Sequence, residues 1–246
     1  MINWRRLART DATGQLIARS VARSHVGRVR QINEDRVFND PERRLWAVAD
    51  GMGGHGGGDL AAQSIVDAFR SITETDIATT APGMFTAIHA ANDAIIGRNE
   101  SQLTNAASTV VAAHLDGRTA TIAWAGDSRA YLNRDGRLSL LTHDHSVVQD
   151  LIDAGLLTPE RAHLHPHANV VTRGLGVSRE LNVAEVTLEL CGGDRLLLCS
   201  DGLSRSLEAD DLEVRELDAL ADALLSCSLK RDGTDNTSFI LVELRV

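Results

Sequence analysis

The chain has 246 residues, 43% of them hydrophobic and 24% charged, with a formal net charge of −9 at pH 7. This length allows one large or two small domains, and since no linker-like segment divides the chain, we expect one domain spanning residues 1–246. The acidic balance argues against nucleic acid as a partner. The lack of a long apolar stretch or signal-peptide core argues against a membrane, so a cytoplasmic protein is expected.

The first predicted features are a basic tail, a strand and a charged turn. Residues 1–15 are basic and irregular and predict an N-terminal extension. After a strand over residues 16–22, the turn carries Arg30, whose guanidinium could bind two phosphate oxygens. Glu34 and Asp35 follow on an extended backbone, so one is expected to enter a site and the other to brace the loop. A surface cluster of salt bridges is the alternative.

A glycine-rich loop follows the next predicted strand. Residues 46–49 form an apolar run that ends at Asp50, and six glycines lie between Gly51 and Gly58. Such a density of glycine costs chain entropy and is tolerated where the backbone passes close to a ligand. A carboxylate beside this loop suits a metal ion with a phosphate next to it, whereas the alternative is an ordinary surface turn.

Two amphipathic helices are predicted after this loop. The first begins at Asp59 and has apolar residues every three or four positions over residues 61–72. The second repeats this spacing over residues 84–95 and is expected to stop at Gly97. Residues 73–80 are polar and predict a loop. The two helices would form one outer layer of the fold.

Asp-Gly pairs predict two successive β-hairpins in the middle of the chain. The flanking strands cover residues 107–115 and 119–125 around Asp116-Gly117, and residues 131–133 and 138–141 around Asp135-Gly136. Asp-Gly between apolar runs is a strong hairpin signal. Successive hairpins indicate antiparallel sheets.

Residues 143–172 form a polar segment with five histidines and two predicted short helices. Three of the histidines alternate at positions 163, 165 and 167, which suggests zinc. A proline interrupts the run, and neither a cysteine nor an acidic partner lies close, so we do not expect a zinc site there.

The last third of the chain predicts two strands, a helix and a final strand. The strands cover residues 183–190 and 195–199, the helix has an apolar face over residues 217–224, and the final strand covers residues 237–244. The chain has three cysteines without metal-ligand spacing, and Cys199 lies in an apolar run. This usage indicates a reducing compartment.

Four carboxylates lie at the ends of predicted strands. Asp50, Asp127 and Asp201 each follow an apolar run, and Asp235 precedes the final strand. In an antiparallel sheet these positions meet at one edge. Grouped carboxylates repel one another unless cations neutralise them, and their oxygens favour Mg²⁺ or Mn²⁺ over Zn²⁺. Two such ions, about 3.5–4 Å apart, could activate a water and polarise a phosphoryl group.

Five short motifs in this order resemble those of the metal-dependent protein phosphatases, the PPM or protein phosphatase 2C-like family. They are residues 30–35, 50–54, 126–129, 200–203 and 235–236, and the resemblance covers about residues 18–245. It implies an α+β fold, a four-layer α-β-β-α sandwich with two central antiparallel β-sheets flanked by helices. It also implies that residues 143–172 form a flap beside the active site.

The resemblance also implies a set of metal ligands. Asp50 would bridge two ions, Asp201 and Asp235 would complete the first, and the carbonyl of Gly51 would join the second. Glu34 would hold a metal-bound water.

Other residues acquire roles from the same resemblance. Asp127 would form a weaker third metal site together with Asp201. Arg30 would bind the substrate phosphate, and Asp35 and Asn236 would support the ligands from behind.

The implied activity is hydrolysis of phosphoserine and phosphothreonine by a water activated by Mn²⁺ or Mg²⁺. The expected partners are a phosphorylated protein and a bacterial Ser/Thr protein kinase, and we expect a monomer. Many eukaryotic members carry a histidine directly after the Asp-Gly pair, where this chain has Met52. The general acid is therefore open between His55 and a metal-bound water.

Three other interpretations remain at this point. One is a catalytically inactive phosphatase-fold protein that binds phosphoproteins or regulates them, although every expected acidic ligand is present. Another is a different metal-dependent phosphoesterase, such as a nuclease or a small-molecule phosphatase, and the acidic balance argues against the nuclease. The third is a phosphatase fused to a sensor, for which 246 residues leave little room. A stand-alone housekeeping or secretion-linked phosphatase fits better.

Overall fold

Two five-stranded antiparallel sheets form the centre of the protein. The computed structural model describes residues 16–53, 57–72, 81–212 and 216–246. In chain order the strands are β1 (Ile17–His25), β2 (Arg36–Asp40), β3 (Leu45–Ala49), β4 (Gly51–Met52), β5 (Ala107–Ser108), β6 (Val110–Asp116), β7 (Thr119–Ala125), β8 (Arg129–Arg134), β9 (Arg137–Leu140), β10 (Ala184–Glu189), β11 (Arg195–Cys199) and β12 (Thr237–Arg245). One sheet has the order β1-β12-β11-β8-β9 and the other β10-β7-β6-β3-β2, while β4 and β5 pair as a short ribbon.

The two sheets pack face to face around a shared apolar core. Side chains alternate along each strand, so β3 directs Trp46 and Val48 toward the other sheet. There they meet residues such as Leu198 and Ile240 of β11 and β12. The opposite face of β3 is also buried, which explains why its sequence is apolar throughout.

Helices cover both outer faces of the sandwich. Their bounds are α1 (Gly58–Ser71), α2 (Ala81–Gln102), α3 (Val147–Asp153), α4 (Asp201–Ser204) and α5 (Leu217–Arg231), with 3₁₀ helices at Pro159–Leu164 and Ala209–Leu212. The apolar faces of α1 and α2 pack on the β3 sheet, and α5 packs on the β12 sheet. This is the predicted four-layer α-β-β-α sandwich.

Two predicted boundaries were wrong. Helix α2 does not stop at Gly97 but continues to Gln102, where the Asn99 amide donates to the Ala106 carbonyl at 2.7 Å and ties the helix end to the following strand. The predicted strand over residues 107–115 is broken at Thr109, which leaves the ladder to contact Asp50. The predicted loop 73–80 and the predicted N-terminal extension lie outside the described residues.

Within the described ranges, no helix combines the length and the apolar character that crossing a bilayer requires.

Candidate metal and phosphate site

Four predicted carboxylates meet at one end of the sandwich. Asp50 follows β3 and Asp127 lies just beyond β7 in one sheet, whereas Asp201 follows β11 and Asp235 precedes β12 in the other. The expected meeting point on one sheet edge is therefore corrected: the carboxylates gather between the ends of two facing sheets. Burial raises the pKa of Asp50 well above its ordinary value, and the charges of Asp35, Asp201, Asp127 and Asp235 add to this effect.

The neighbouring acids respond in the same way. Burial, together with the charge of Asp201, raises the pKa of Asp127 to about 7. Burial also raises the pKa of Asp201, against the opposing effect of Arg205. The raised pKa values of Asp50, Asp127 and Asp201 favour their protonated forms when no cation is bound. A divalent ion that binds here would displace the protons.

The break at Thr109 fixes the position of Asp50. The Thr109 N–H donates to the Asp50 carbonyl at 2.9 Å, and its hydroxyl accepts from the Asp50 N–H at 3.3 Å. A second hydroxyl, that of Ser108, donates to the same carbonyl at 3.0 Å. The backbone of Asp50 is thus held by the adjacent strand.

Glu34 and Asp35 have different surroundings. Asp35 is 2% exposed; one of its oxygens accepts from the Ser200 hydroxyl at 2.8 Å, and the other is buried without a hydrogen-bond partner. Burial raises its pKa to about 7. Glu34 faces the glycine-rich loop, where a Cβ atom built on Gly58 would lie 2.5 Å from its Oε1.

Gly51 lies where three backbone segments approach closely. A Cβ atom at this position would lie 2.0 Å from the carbonyl oxygen of Gly58 and 2.7 Å from that of Glu34. Any larger residue would force the loop away from Glu34. The glycine therefore allows the close backbone approach that its proposed role as a ligand needs.

Asn236 holds the Arg30 loop against the start of β12. Its amide donates to the carbonyls of Val26 at 2.9 Å and Ile32 at 3.0 Å, and its side-chain oxygen accepts from the Glu34 N–H at 2.8 Å. This arrangement places the side chain behind the candidate ligands, where support was predicted.

Two arginines contact the carboxylates from the solvent side. Arg30 donates to Asp235 at 2.9 Å, and its side chain is 54% exposed. Arg205 donates to Asp201, and its other terminal nitrogen lies 3.9 Å from an oxygen of Asp235. It also donates to Asn169 of the flap segment at 3.2 Å. Arg205 was not predicted as a site residue, because an arginine four residues after an acid is also the usual pattern of a surface ion pair.

The donor set fits hard divalent cations, but not in the present side-chain arrangement. In the part of the chain that the structure describes, no three His, Cys, Asp or Glu side chains are placed together as ligands of one ion. The oxygens of Asp201 and Asp235 are instead turned toward Arg205 and Arg30. Cations would fit the excess of carboxylates and the partnerless buried oxygens of Asp35 and Asp59.

Asp59 is another residue without a predicted site role. Burial is the main cause that raises the pKa of Glu34, and the charge of Asp59 raises it as well.

The flap segment is attached next to Asp127. His145 accepts a hydrogen bond from the Gly126 N–H at 3.1 Å, and its ring stacks on Trp124 with a centroid separation of 6.1 Å. Burial, with help from the charge of Arg173, lowers the pKa of His145 to about 4. The ring is therefore neutral at physiological pH.

The remaining candidate catalytic groups are buried or are not among the residues that the structure describes. Cys199 is completely buried, and burial raises its pKa to about 12, so it is unsuited to be a nucleophile. The Ser200 hydroxyl is buried and donates to Asp35. His55, a predicted candidate for the general acid, lies outside the described residues.

Comparisons with known proteins identify the family to which this chain belongs. The family model described as Protein phosphatase 2C matches residues 22–234. The chain belongs to the protein phosphatase 2C family. This confirms the family inferred from the motifs.

Members of this family in other bacteria are similar over nearly the whole chain. The serine/threonine phosphatase stp of Listeria monocytogenes is 36% identical, over 90% of this chain and 94% of its own length. The serine/threonine protein phosphatase PstP of Mycobacterium tuberculosis is 35% identical over 93% of this chain, which spans only about half (45%) of that relative. A crystal structure of the catalytic domain of PstP with two manganese ions superimposes with a TM-score of 0.84 at 34% identity, covering 94% of this chain and all of that one.

Proposed function

We propose that this protein phosphatase 2C family member hydrolyses phosphoserine and phosphothreonine in proteins. The observation that carries the proposal is the meeting of Asp50, Asp201 and Asp235 at the ends of two sheets, beside the exposed arginine Arg30. An acidic cluster suits two Mn²⁺ or Mg²⁺ ions, and a guanidinium suits a phosphate. The similarity to named serine/threonine phosphatases supports the same substrate class.

The proposed ligands follow the motif assignment. Asp50 would lie between two ions, Asp201 and Asp235 would hold the first, and the Gly51 carbonyl and Glu34 would serve the second, Glu34 through water. Bound ions of this kind lower the pKa of water and withdraw charge from a phosphoryl group. Asp35 and Asn236 would keep the ligands in place, as their hydrogen bonds to Ser200 and to the Arg30 loop suggest.

Arg30 would bind and orient the substrate phosphate. In the described arrangement its guanidinium donates to Asp235, and more than half of its side chain is exposed. If Asp235 held a cation, the Arg30 guanidinium would be free to donate to two phosphate oxygens. For the proton that the leaving serine or threonine oxygen needs, the two candidates are still His55 and a metal-bound water, and His55 is the one that a substitution can test.

The motif assignment also includes a third, weaker ion between Asp127 and Asp201. Arg205 already donates to Asp201, so it competes for this position. This competition decides whether the third ion binds.

The proposed setting is a bacterial cytoplasm, in which the protein acts as a monomer and opposes a Ser/Thr kinase. The burial of Cys199 as a core residue fits a reducing compartment. Nothing in the described part of the chain favours the inactive phosphoprotein-binding alternative, and the similarity to named serine/threonine phosphatases supports the active enzyme.

The experiment that tests the function is hydrolysis of a phosphothreonine peptide by the purified protein with Mn²⁺, Mg²⁺ or chelator. We expect phosphate release that requires a metal ion and vanishes in Asp201→Asn, because that variant loses a charged ligand but keeps the volume of the side chain. Asp218→Asn is a matched control, since Asp218 is an exposed carboxylate on α5 that pairs with Arg23. A folded wild-type protein with no turnover in any metal would contradict the proposal and favour phosphoprotein binding.

A further inference from the structure

Arg205 lies where cations are expected to bind. Its guanidinium donates to an oxygen of Asp201, and a second nitrogen lies 3.9 Å from Asp235. The charge of Arg205 also lowers the pKa of Asp127, so it lies within electrostatic reach of that carboxylate as well, although burial dominates there. Three of the proposed metal-site carboxylates thus share one fixed positive charge.

The location of Arg205 in the fold holds its guanidinium in place. Helix α4 begins at Asp201, and Arg205 follows one turn later, which brings the two side chains to the same face. The same terminal nitrogen that donates to Asp201 also donates to Asn169 at 3.2 Å, in the segment after the 3₁₀ helix Pro159–Leu164. About one third of the Arg205 side chain is exposed. The guanidinium is therefore held by Asp201 and Asn169 together rather than extended into solvent.

A metal ion between Asp127 and Asp201 would compete with this guanidinium. Both would compete for the Asp201 Oδ2 atom, to which Arg205 already donates, and two cations on one oxygen repel each other strongly. Arginine keeps its charge at every physiological pH, so deprotonation cannot relieve the repulsion. Ions beside Asp50 can still use the remaining oxygens of Asp201 and Asp235.

We propose that Arg205 is a built-in cation that takes the place of a third metal ion between Asp201 and Asp127, so that the chain binds two ions rather than three. The proposal rests on the proposed metal site. It assigns to Arg205 a positioning role: it neutralises Asp201 and connects this carboxylate to the flap through Asn169.

The test counts bound metal, independently of catalysis. Equilibrium dialysis against Mn²⁺ with metal analysis gives the number of ions per chain, and calorimetric titration gives their affinities. We expect two ions on the wild-type chain and a third on Arg205→Asn, which removes the charge and leaves a short oxygen donor. The third ion should bind at least about tenfold more tightly to this variant than any further ion binds to the wild type.

Three controls separate the charge from other effects. Arg205→Lys keeps a cation, and Asn169→Ala removes the flap contact but keeps the guanidinium, so both should bind two ions. Arg23→Met removes a similarly part-buried arginine that pairs with two carboxylates on α5, away from the candidate ligands, and should also bind two. Thermal unfolding in chelator checks that each variant is folded.

Asp127→Asn keeps the proposal testable even if Arg205→Asn does not fold. With Arg205 in place, Asp127 holds no ion, so Asp127→Asn should still bind two. Three ions on the wild-type chain, the loss of one ion in Asp127→Asn, or only two ions on a folded Arg205→Asn would each overturn the proposal. A wild-type chain that binds no Mn²⁺ would overturn the proposed phosphatase function as well. The number of ions bound therefore distinguishes failure of the Arg205 proposal alone from failure of both proposals.

Discussion

Asn236 shows how one side chain prepares the site before any ion binds. Its three hydrogen bonds join the start of β12 to the backbone at residues 26, 32 and 34. Asp235, Arg30 and Glu34 are therefore positioned relative to one another by backbone contacts. Such preorganisation lowers the entropic cost of binding a cation and a phosphate together.

The role of His55 can be tested by comparing two leaving groups. We expect His55→Ala to slow hydrolysis of a phosphoserine peptide about 100-fold, because a serine alkoxide needs a proton to leave. An aryl phosphate, whose leaving group is a weak base, should change by less than about threefold. Steady-state rates for both substrates at saturating Mn²⁺ give the comparison, and equal losses on both would contradict the assignment.

At the residue scale, the sequence could predict groups whose position depends on local pattern. Asp50, Asp127 and Asp201 were identifiable because each follows an apolar run. Arg205 was not, because an arginine one turn after an acid has the usual appearance of a surface ion pair, and its contact with Asn169 depends on how the flap folds.

At the scale of elements, Gly97 lies inside α2 rather than at its end. A Cβ atom built there meets nothing within 4 Å, and the helix continues because its apolar face packs on α1 and the sheet. Glycine in such a position lacks a packing reason and costs backbone entropy.

We therefore expect Gly97→Ala to stabilise the protein by about 0.5–1 kcal/mol. Gly117→Ala is the matched control, since a Cβ atom there also meets nothing within 4 Å but φ is +57°. That variant should lose roughly 1 kcal/mol, because alanine is strained in the left-handed region. Urea denaturation of both variants measures the difference. Stability changes of the same sign and size in both variants would show that backbone conformation does not determine the effect of alanine at these two positions.

The wrong boundaries share a physical cause. A glycine after an apolar face ends a helix in an isolated pattern, but the packing of α2 and the Asn99 contacts at its end outweigh that preference. The break at Thr109 depends on Asp50, a residue distant in sequence. The periodicity of apolar residues was enough to predict that the strands and helices are present, whereas these boundaries depend on tertiary contacts.

At the scale of the molecule, the acids at the junction of the two sheets couple stability to pH. In the metal-free protein, Asp35 and Asp127 have a pKa of about 7, and the pKa values of Asp50 and Asp201 are also raised. In the unfolded chain these groups ionise near pH 4. The contribution of Asp35 and Asp127 to stability is thus fully present below about pH 4 and is lost as pH rises through about 7, and Asp50 and Asp201 act in the same direction.

We expect the metal-free protein to lose roughly 1–3 kcal/mol of unfolding free energy between about pH 5 and 7.5. His145 opposes this trend, because its lowered pKa favours folding as pH rises through about 6.5, but it is one group against several. Chemical denaturation in chelator measures the change. Saturating Mn²⁺ should remove the fall, since bound cations keep the carboxylates charged, and a rise in stability over this interval in chelator would contradict the prediction.

The layered architecture was predictable for a different reason from the individual strands. Apolar runs and Asp-Gly turns predict antiparallel strands, but they do not divide the strands between two sheets. That division came from the resemblance of five motifs to one family. The structure confirms it, with Asp50 on one sheet and Asp201 on the other.

The stacking of Trp124 on His145 gives the protein an optical signal of its own. The indole also donates to the His143 carbonyl at 2.8 Å, so its surroundings change whenever the start of the flap departs from β7. Trp46 is fully buried in the core and contributes a constant background, while the third tryptophan, Trp4, lies outside the described residues, so Trp4→Phe would isolate the Trp124 signal. Ultraviolet-excited emission of the unlabelled protein would therefore follow the flap in stopped-flow mixing with a phosphopeptide, on the timescale of a single turnover.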